Sequence, residues 1–321
     1  MFSRFLLLTL ATTSLQAASV EIEVNLGRTL NALSGGHPLG ANLCWYFDQE
    51  EPAAKALGLA GLRVVRFPFG HRGDNYLWDT APWPASPGDS VVPRIASRHE
   101  KPALEPGVIN DDGTFARQMD TDEFARLVRR TGTTPIMMVN VLSYKYQGGP
   151  SYEQLRESAV EWVRYCNVTC GYGFKYWEIG NEVDLKKSPM TLEEYGPLFR
   201  DFAQAMKAVD PTIQVGLGLN NNVEWMRSLL DSVGGDADFV VAHQYNSVAR
   251  PLINSYEAYR TSTKRIASGI ERAEEAILAS THPRKDTLPI LVTEFSSYSP
   301  AGIYAANDRQ QDLWKSLVTF D

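Results

Sequence analysis

Short apolar runs recur along the chain, and longer stretches of mixed polar and apolar residues separate them. Seven runs have the length of a strand, at residues 39–46, 61–68, 135–142, 175–183, 213–219, 238–245 and 288–295. The stretches between them predict helices at residues 51–59, 122–130, 151–167, 193–209, 223–233, 255–280 and 308–320. Strands that alternate with helices are typical of a parallel sheet closing as a barrel. The pattern therefore predicts the α/β class and a (β/α)8 TIM barrel.

The predicted barrel is one strand short. The helix at residues 308–320 follows the seventh strand, and no residues remain after it for an eighth. We therefore expect a barrel that is truncated before strand 8, in a domain that spans residues 35–321 and is incomplete at its C-terminus. The alternative is that Ser19–Asn25, which alternates apolar and acidic residues like a half-exposed strand, fills the eighth position.

The first residues predict a secretory signal. Arg4 supplies the positive charge, Phe5–Ala11 is apolar but too short to cross a bilayer, and Ala17 offers a small residue for cleavage. The predicted boundaries are a signal peptide at residues 1–17 and an N-terminal strand segment at residues 18–34. We expect the protein to be secreted or periplasmic.

Composition excludes several other classes. The 321 residues are 44% hydrophobic, enough for one large core, and the net charge of −7 comes without a long basic run. Nucleic acid and membrane are therefore not expected partners. The three cysteines and five histidines show no metal-ligand spacing, so we expect neither a metal nor a cofactor. Cys166 and Cys170 are predicted to be free thiols, although a bridge after export is the alternative, and Cys44 is predicted to lie in the core.

Two of the predicted strands end on a glutamate. The run at 175–183 closes on Glu182, and the run at 288–295 closes near Glu294. Active sites of barrels lie at the C-terminal ends of the strands. Strands four and seven face each other across a barrel mouth, so these carboxyl groups can reach the separation of about 5–5.5 Å that a retaining glycosidase needs. The pair predicts such an enzyme, with Glu182 as acid/base and Glu294 as nucleophile.

Neighbouring residues would have to set the charge of each carboxyl group. A nucleophile must stay ionised, and Arg66 and Tyr245, at the ends of strands two and six, are the candidate cation and hydrogen-bond donor. An acid must hold its proton, so we expect Glu182 to be buried beside a negative neighbour. Glu178 lies lower on the same strand, and we expect it to be buried and paired with an arginine.

Four further polar residues at strand ends are candidate sugar contacts: Asn181, His243, Asn140 and Asn42. Each also has a structural explanation, because asparagine is common in turns and a histidine on an apolar strand is often a core residue with satisfied hydrogen bonds.

The region of residues 70–120 has no clear periodicity and predicts a long loop above strand two. Tyr76, Trp78 and Trp83 lie in it, and Trp78 is predicted to contact substrate. The alternative is that these aromatic side chains fasten the loop to the barrel.

The order of these motifs resembles that of clan A glycoside hydrolases, and most of all the α-L-arabinofuranosidases of glycoside hydrolase family 51. The residues that carry the resemblance are 177–182 (Trp-Glu-Ile-Gly-Asn-Glu), 63–68, 135–140, 194–196, 205–213 and 243–245. It implies a barrel that carries a β-sandwich, of which Ser19–Asn25 would be a strand. It also implies cleavage of arabinose side chains in plant hemicellulose without a metal, with Glu182 as acid/base and Glu294 as nucleophile.

The chain departs from the family pattern in residues that recognise the sugar. The family usually has a glutamate where this chain has Gly40-Ala41-Asn42, and Pro-Gly-Gly where it has Pro68-Phe69-Gly70. An endo-glycanase or β-xylosidase of the same clan therefore stays an alternative, as does a non-catalytic barrel that binds carbohydrate. The expected partner is a polysaccharide or oligosaccharide; the oligomeric state is not predicted.

Overall fold

The computed structural model describes residues 39–45, 48–74, 76–79, 119–146, 149–247, 257–258, 261 and 266–298. These residues belong to one compact unit. The predicted signal peptide, the strand Ser19–Asn25, Trp83 and the helix at 308–320 lie outside them.

Seven parallel strands form one sheet in chain order. They are β1 Gly40–Asn42, β2 Val64–Phe67, β3 Thr134–Val139, β4 Tyr176–Ile179, β5 Gln214–Leu217, β6 Phe239–Ser247 and β7 Ile290–Tyr298. Each strand pairs only with its sequence neighbours among the described residues, which leaves β1 and β7 at the two edges. The side chain of Asn42 nevertheless reaches from β1 to β7, where its Nδ2 donates to the Thr293 carbonyl at 2.9 Å. The sheet is therefore a nearly closed barrel, which confirms the predicted fold class.

Helices lie between the strands. They are α1 Glu50–Ala60, α2 Gly70–Gly73, α3 Thr121–Thr131, α4 Tyr152–Val163, α5 Leu192–Val209, α6 Val223–Val233 and α7 Ile266–Leu278. Local sequence sets the start of three of them: Asp120, Ser151 and Thr191 each form a capping box with the residue three positions later. No described helix has the length and apolar character needed to cross a membrane.

Several predicted elements have different bounds. The strand expected at 39–46 is only Gly40–Asn42, and the one expected at 175–183 ends at Ile179 because Gly180 turns the chain with φ 85°. The helix expected at 151–167 is α-helical only to Val163 and continues as a π-helical segment. The helix expected at 255–280 is described from Ile266. Pattern reading misses these ends because tertiary contacts decide where a strand or helix stops.

The core has two parts on either side of the sheet. On the outer face, Trp177 of β4 packs edge-on against Trp162 of α4, with ring centroids 5.4 Å apart. On the inner face, Glu178 of the same strand pairs with Arg66 of β2. The three cysteines are free thiols and Cys44 is buried, as predicted, and Cys166 is buried as well.

Candidate active site

The polar side chains collect at the C-terminal end of the sheet, where the chain leaves β4. Gly180 has φ 85° and Glu182 has φ 45°, a left-handed conformation that is uncommon for a residue with a side chain. The buried phenol of Tyr195 on α5 supports this turn by donating to the Ile179 carbonyl at 2.6 Å. Asp184 then accepts the backbone amides of Asn220 and Asn222 and ties the turn to the loop after β5.

A register shift brings Glu294 to the same region. Val241 of β6 pairs with Leu291 of β7. The next pair is His243 of β6, which is two residues after Val241, and Glu294 of β7, which is three residues after Leu291. Because side chains alternate along a strand, the extra residue in β7 reverses the side on which Glu294 would otherwise emerge. Glu294 and His243 therefore share one face.

Two donors hold the Glu294 carboxylate. Arg66 Nη1 lies 2.9 Å from Oε1, and the Tyr245 hydroxyl donates to Oε2. Burial, together with the negative charge of Glu294, raises the pKa of Tyr245, so the phenol keeps the proton that it donates. Both contacts fix the orientation of the Glu294 carboxyl group.

Arg66 is the centre of the buried network. Its Nε and Nη2 bind the two oxygens of Glu178 at 2.7 and 2.6 Å, and both side chains are at most 2% exposed. Its other contacts are Glu294, Asn42 at 3.1 Å and Asn181 at 2.7 Å. Burial alone would lower the pKa of Arg66, but the carboxylates of Glu178 and Glu294 outweigh it and raise the pKa. Glu178 is thus buried and paired with an arginine, as the sequence predicted.

Glu182 has different neighbours from those expected. It is only 6% exposed, but its oxygens face two histidines: Oε1 lies 2.9 Å from His243 Nδ1 and Oε2 lies 2.9 Å from His71 Nε2. Burial would raise the pKa of Glu182, yet the hydrogen bonds and charges of the two histidines outweigh it and lower the pKa. For His243, burial lowers the pKa, and the carboxylates of Glu294 and Glu182 raise it above its ordinary value. Two basic side chains therefore bind the Glu182 oxygens in addition to the negative neighbours that were expected: an oxygen of Glu294 lies within 4.8 Å, and Asp184 interacts with Glu182 through its charge.

The two carboxyl groups are close. One ligand atom from each of Glu182, His243 and Glu294 lies within 4.8 Å of the others. This is the one group among the described residues with the composition and spacing to hold a metal ion. However, the Arg66 guanidinium already binds Glu294, and a cation placed beside it would be repelled. The donor set suits a pair of reacting carboxyl groups better than a metal.

Asn181 and Asn42 both join the cluster through Arg66. Asn181 is fully buried and contacts Arg66 and His71, and Asn42 bridges Arg66 and Thr293. Together with His243 and Tyr245, they are the predicted site residues that surround the two glutamates.

The hydrogen bonds of Asn140 and Trp78 and the ring contact of Trp78 are to residues outside this cluster. Asn140 uses its amide group within the turn after β3, where it contacts the backbone of Leu142 and Ser143, the Ser143 hydroxyl and the Tyr76 carbonyl. Trp78 packs against Tyr165, with ring centroids 5.1 Å apart, and its Nε1 donates to the Ser158 carbonyl on α4. These contacts fix loops, and the predicted contact of Asn140 and Trp78 with sugar stays a prediction.

Tyr76 behaves like Trp78. Its ring is buried against Trp45, Phe67 and Trp162, so it fastens the loop to the barrel.

Two residues of the site were missed by sequence reasoning. His71 lies on α2, in a segment without periodicity, and Thr293 accompanies Glu294 on β7, where its hydroxyl lies 2.9 Å from His243 Nε2. A signal for His71 existed: it follows Pro68-Phe69-Gly70, the point at which the chain departs from the family pattern.

Gly70 provides a test of this geometry. A Cβ at this position would lie 2.8 Å from Glu294 Oε1, and the backbone has φ 36°. We expect Gly70→Ala to displace the Glu294 carboxylate and to lower kcat on the order of 10²-fold, the scale of a misplaced reacting group. Steady-state kinetics with an aryl glycoside would measure the loss.

The control is Gly58→Ala in α1, where an added Cβ meets nothing within 4 Å. This variant should keep the wild-type kcat. Equal rates for the wild type and Gly70→Ala would show that the close approach to Glu294 has no role.

Comparisons with known proteins show which family this chain resembles. A family model described as the alpha-L-arabinofuranosidase 1 domain matches residues 61–265, which is more than half of the chain. An intracellular exo-α-(1→5)-L-arabinofuranosidase of Acetivibrio thermocellus is 26% identical over 202 residues, covering 57% of this chain and 36% of that protein. The α-L-arabinofuranosidase C of Emericella nidulans is 29% identical over 180 residues, which cover 50% of this chain and 31% of that protein.

Solved structures show the same fold. The α-L-arabinofuranosidase of Thermotoga maritima, in complex with arabinose, has a TM-score of 0.57 at 20% identity and covers 77% of this chain and 49% of that one. The family 51 arabinofuranosidase of Xanthomonas axonopodis pv. citri has a TM-score of 0.58 at 16% identity, and the match covers 84% of this chain and 55% of that one. The chain spans about a third of the length of the relatives that it matches in sequence. It belongs to the family of the alpha-L-arabinofuranosidase 1 domain.

Proposed function

We propose that this protein is a retaining glycoside hydrolase that cleaves α-L-arabinofuranosidic bonds in plant-type polysaccharide or its fragments. The observation that carries the proposal is the proximity of Glu182 and Glu294: one carboxylate oxygen of each lies within 4.8 Å of the other, at one end of the barrel. Retaining enzymes need carboxyl groups about 5–5.5 Å apart, whereas inverting enzymes leave room for a water molecule and need about 6.5–9.5 Å.

The two carboxyl groups have environments that suit different roles. Glu294 is 16% exposed and its two oxygens are oriented by Arg66 and Tyr245, so it is the nucleophile that attacks the anomeric carbon. Glu182 is more buried and contacts two titratable histidines, so it is the group that exchanges a proton. In the first step it protonates the leaving oxygen. In the second step it takes a proton from the water that releases the sugar from Glu294.

Support for an arabinofuranoside as substrate comes from the family. One observation favours a second candidate, an endo-glycanase or β-xylosidase. Asn42 stands where the resemblance implies a glutamate that reads the furanose, and its side chain is occupied by Arg66 and the Thr293 carbonyl. A sugar other than arabinofuranose would not need that glutamate.

The test is a screen of the full-length gene product with aryl α-L-arabinofuranoside, β-xyloside and β-glucoside. We expect the arabinofuranoside to be hydrolysed fastest. Proton NMR of the first sugar released should show the anomeric configuration of the substrate, because two displacements restore it. A product of inverted configuration would contradict the mechanism. Binding of arabino-oligosaccharides by calorimetry without hydrolysis would instead favour a non-catalytic carbohydrate-binding barrel.

We further propose that the protein is exported, on the basis of Arg4, the apolar Phe5–Ala11 and Ala17. Some relatives are named intracellular enzymes, so the proposal rests on these N-terminal residues and not on the comparisons. N-terminal sequencing of the protein produced in its own host should begin after residue 17; an intact Met1 would refute export by this signal.

A further inference from the structure

His71 is the unassigned group that lies nearest to the proposed chemistry. It lies on α2, directly after Gly70, and its side chain is 30% exposed. Its Nε2 lies 2.9 Å from Glu182 Oε2, and its Nδ1 lies 3.2 Å from Asn181 Nδ2. The proposed mechanism assigns roles to Glu294 and Glu182 but none to this histidine.

A chain of hydrogen bonds determines which nitrogen of His71 carries a hydrogen. Arginine has donors but no acceptor, so the Asn181 atom that faces Arg66 Nη2 at 2.7 Å must be the carbonyl oxygen. The other end of this amide, Nδ2, is therefore a donor, and it faces His71 Nδ1. Because two donors cannot form a hydrogen bond with each other, His71 Nδ1 accepts. A neutral imidazole with an accepting Nδ1 carries its hydrogen on Nε2, which faces Glu182.

Glu182 thus has one fixed partner and one adaptable partner. His71 Nε2–H can only donate to Oε2. His243 Nδ1, which faces Oε1, can donate or accept, since the Thr293 hydroxyl at its Nε2 can take either complementary role. When Glu182 is protonated, its hydrogen is consequently on Oε1, where His243 can accept it.

We propose that His71 is a positioning residue that holds Glu182 through a fixed Nε2–H···Oε2 hydrogen bond and so sets both the orientation and the acidity of the proton donor. The proposal rests on the proposed function, in which Glu182 is the acid/base. It connects the environments of the two carboxyl groups, because Arg66, which binds Glu294, also orients Asn181 and through it His71.

Other charged and titratable groups surround this pair. Asp74 Oδ2 lies 3.7 Å from His71 Nδ1, and His243 contacts Glu182 on its other oxygen. Asp184 interacts with Glu182 through its charge, and Arg66 and Glu294 lie beyond Asn181 and His243. At 3.7 Å, Asp74 Oδ2 is beyond hydrogen-bond distance of His71 Nδ1, so this carboxylate does not displace Asn181 Nδ2 as the partner of that nitrogen.

The kinetic test is the pH profile of kcat/KM, whose alkaline limb reports the pKa of the acid in the free enzyme. His71→Ala removes a donor from the carboxylate, so the pKa of Glu182 should rise and the limb should move to higher pH by roughly one unit. His71→Gln can present an amide N–H to Oε2, so its alkaline limb should lie close to the wild-type position. Arg72→Ala, the next residue of α2, is the matched control and should leave the limb in place. A limb that stays or moves to lower pH in His71→Ala would overturn the proposal.

A second measurement does not depend on activity. In wild-type protein with 15N-labelled histidine, long-range correlation NMR should show a protonated Nε2 for His71, with the signal identified among the five histidines by its loss in a His71 variant. A hydrogen on Nδ1 with an unprotonated Nε2 would refute the proposal. If the wild type hydrolyses none of the aryl glycosides, the proposed function fails, and this spectrum still decides the role of His71.

Discussion

Glu294→Ala should lower kcat for an aryl α-L-arabinofuranoside by on the order of 10⁴-fold or more, because the attacking group itself is lost. The fold should persist, since Glu294 is partly exposed and Arg66 keeps its bidentate pair with Glu178. Sodium azide should restore part of the rate by entering the space that the carboxylate leaves. The glycosyl azide formed should have inverted configuration, because a single displacement has occurred.

Glu182→Ala is the matched comparison. In this variant Glu294 still forms the covalent intermediate, so azide should attack in the second step and give a product of retained configuration. Substrates with good leaving groups should lose less activity than those with poor ones, since they need less help from an acid. Wild-type activity in either alanine variant would rule out the assigned pair, and an exchange of the two azide products would reverse the roles.

Arg66→Met should have the largest effect on stability. All five N–H groups of the guanidinium have an acceptor, and the Glu178 side chain is 0% exposed. Without the arginine, Glu178 would be a buried charge with no counter-ion. We expect the free energy of unfolding to fall by about 3–5 kcal/mol, the usual result of breaking a buried pair. Urea denaturation followed by tryptophan fluorescence would measure it, and kcat should fall as well, because Glu294 and Asn181 lose their donor.

Two further variants separate charge burial from general damage. Adding Glu178→Gln to Arg66→Met removes the unpaired charge and should recover part of the lost stability. Arg126→Met breaks an ion pair with Glu50 in which Arg126 is 52% exposed, and it should cost at most about 1 kcal/mol. Similar losses for Arg66→Met and Arg126→Met would mean that the buried network contributes little to the fold.

The sequence by itself determined the order of elements and pointed to the two glutamates that we propose as the reactive groups. Local signals were sufficient for this: the capping boxes at Asp120 and Thr191 start helices, and the apolar runs at residues 175–183 and 288–295 place Glu182 just after β4 and Glu294 within β7. Arg66, Glu178 and Tyr245 were predictable as partners because buried charges and ionised nucleophiles need them. Asn140 and Trp78 were not, since a residue type at a loop or strand end does not say where the side chain points.

Only the tertiary structure decided how the reacting groups meet. The extra residue in β7 turns Glu294 to the face of His243, and the left-handed backbone at Glu182 directs that carboxyl group. The position of His71 beside Glu182 depends on the path of the chain after β2. These features come from contacts between residues 50 or more positions apart, such as His243 with Glu294 and Arg66 with Glu178. A local pattern records the period of a strand or helix, whereas the register of one strand against another is set by packing and hydrogen bonds that form only in the folded barrel.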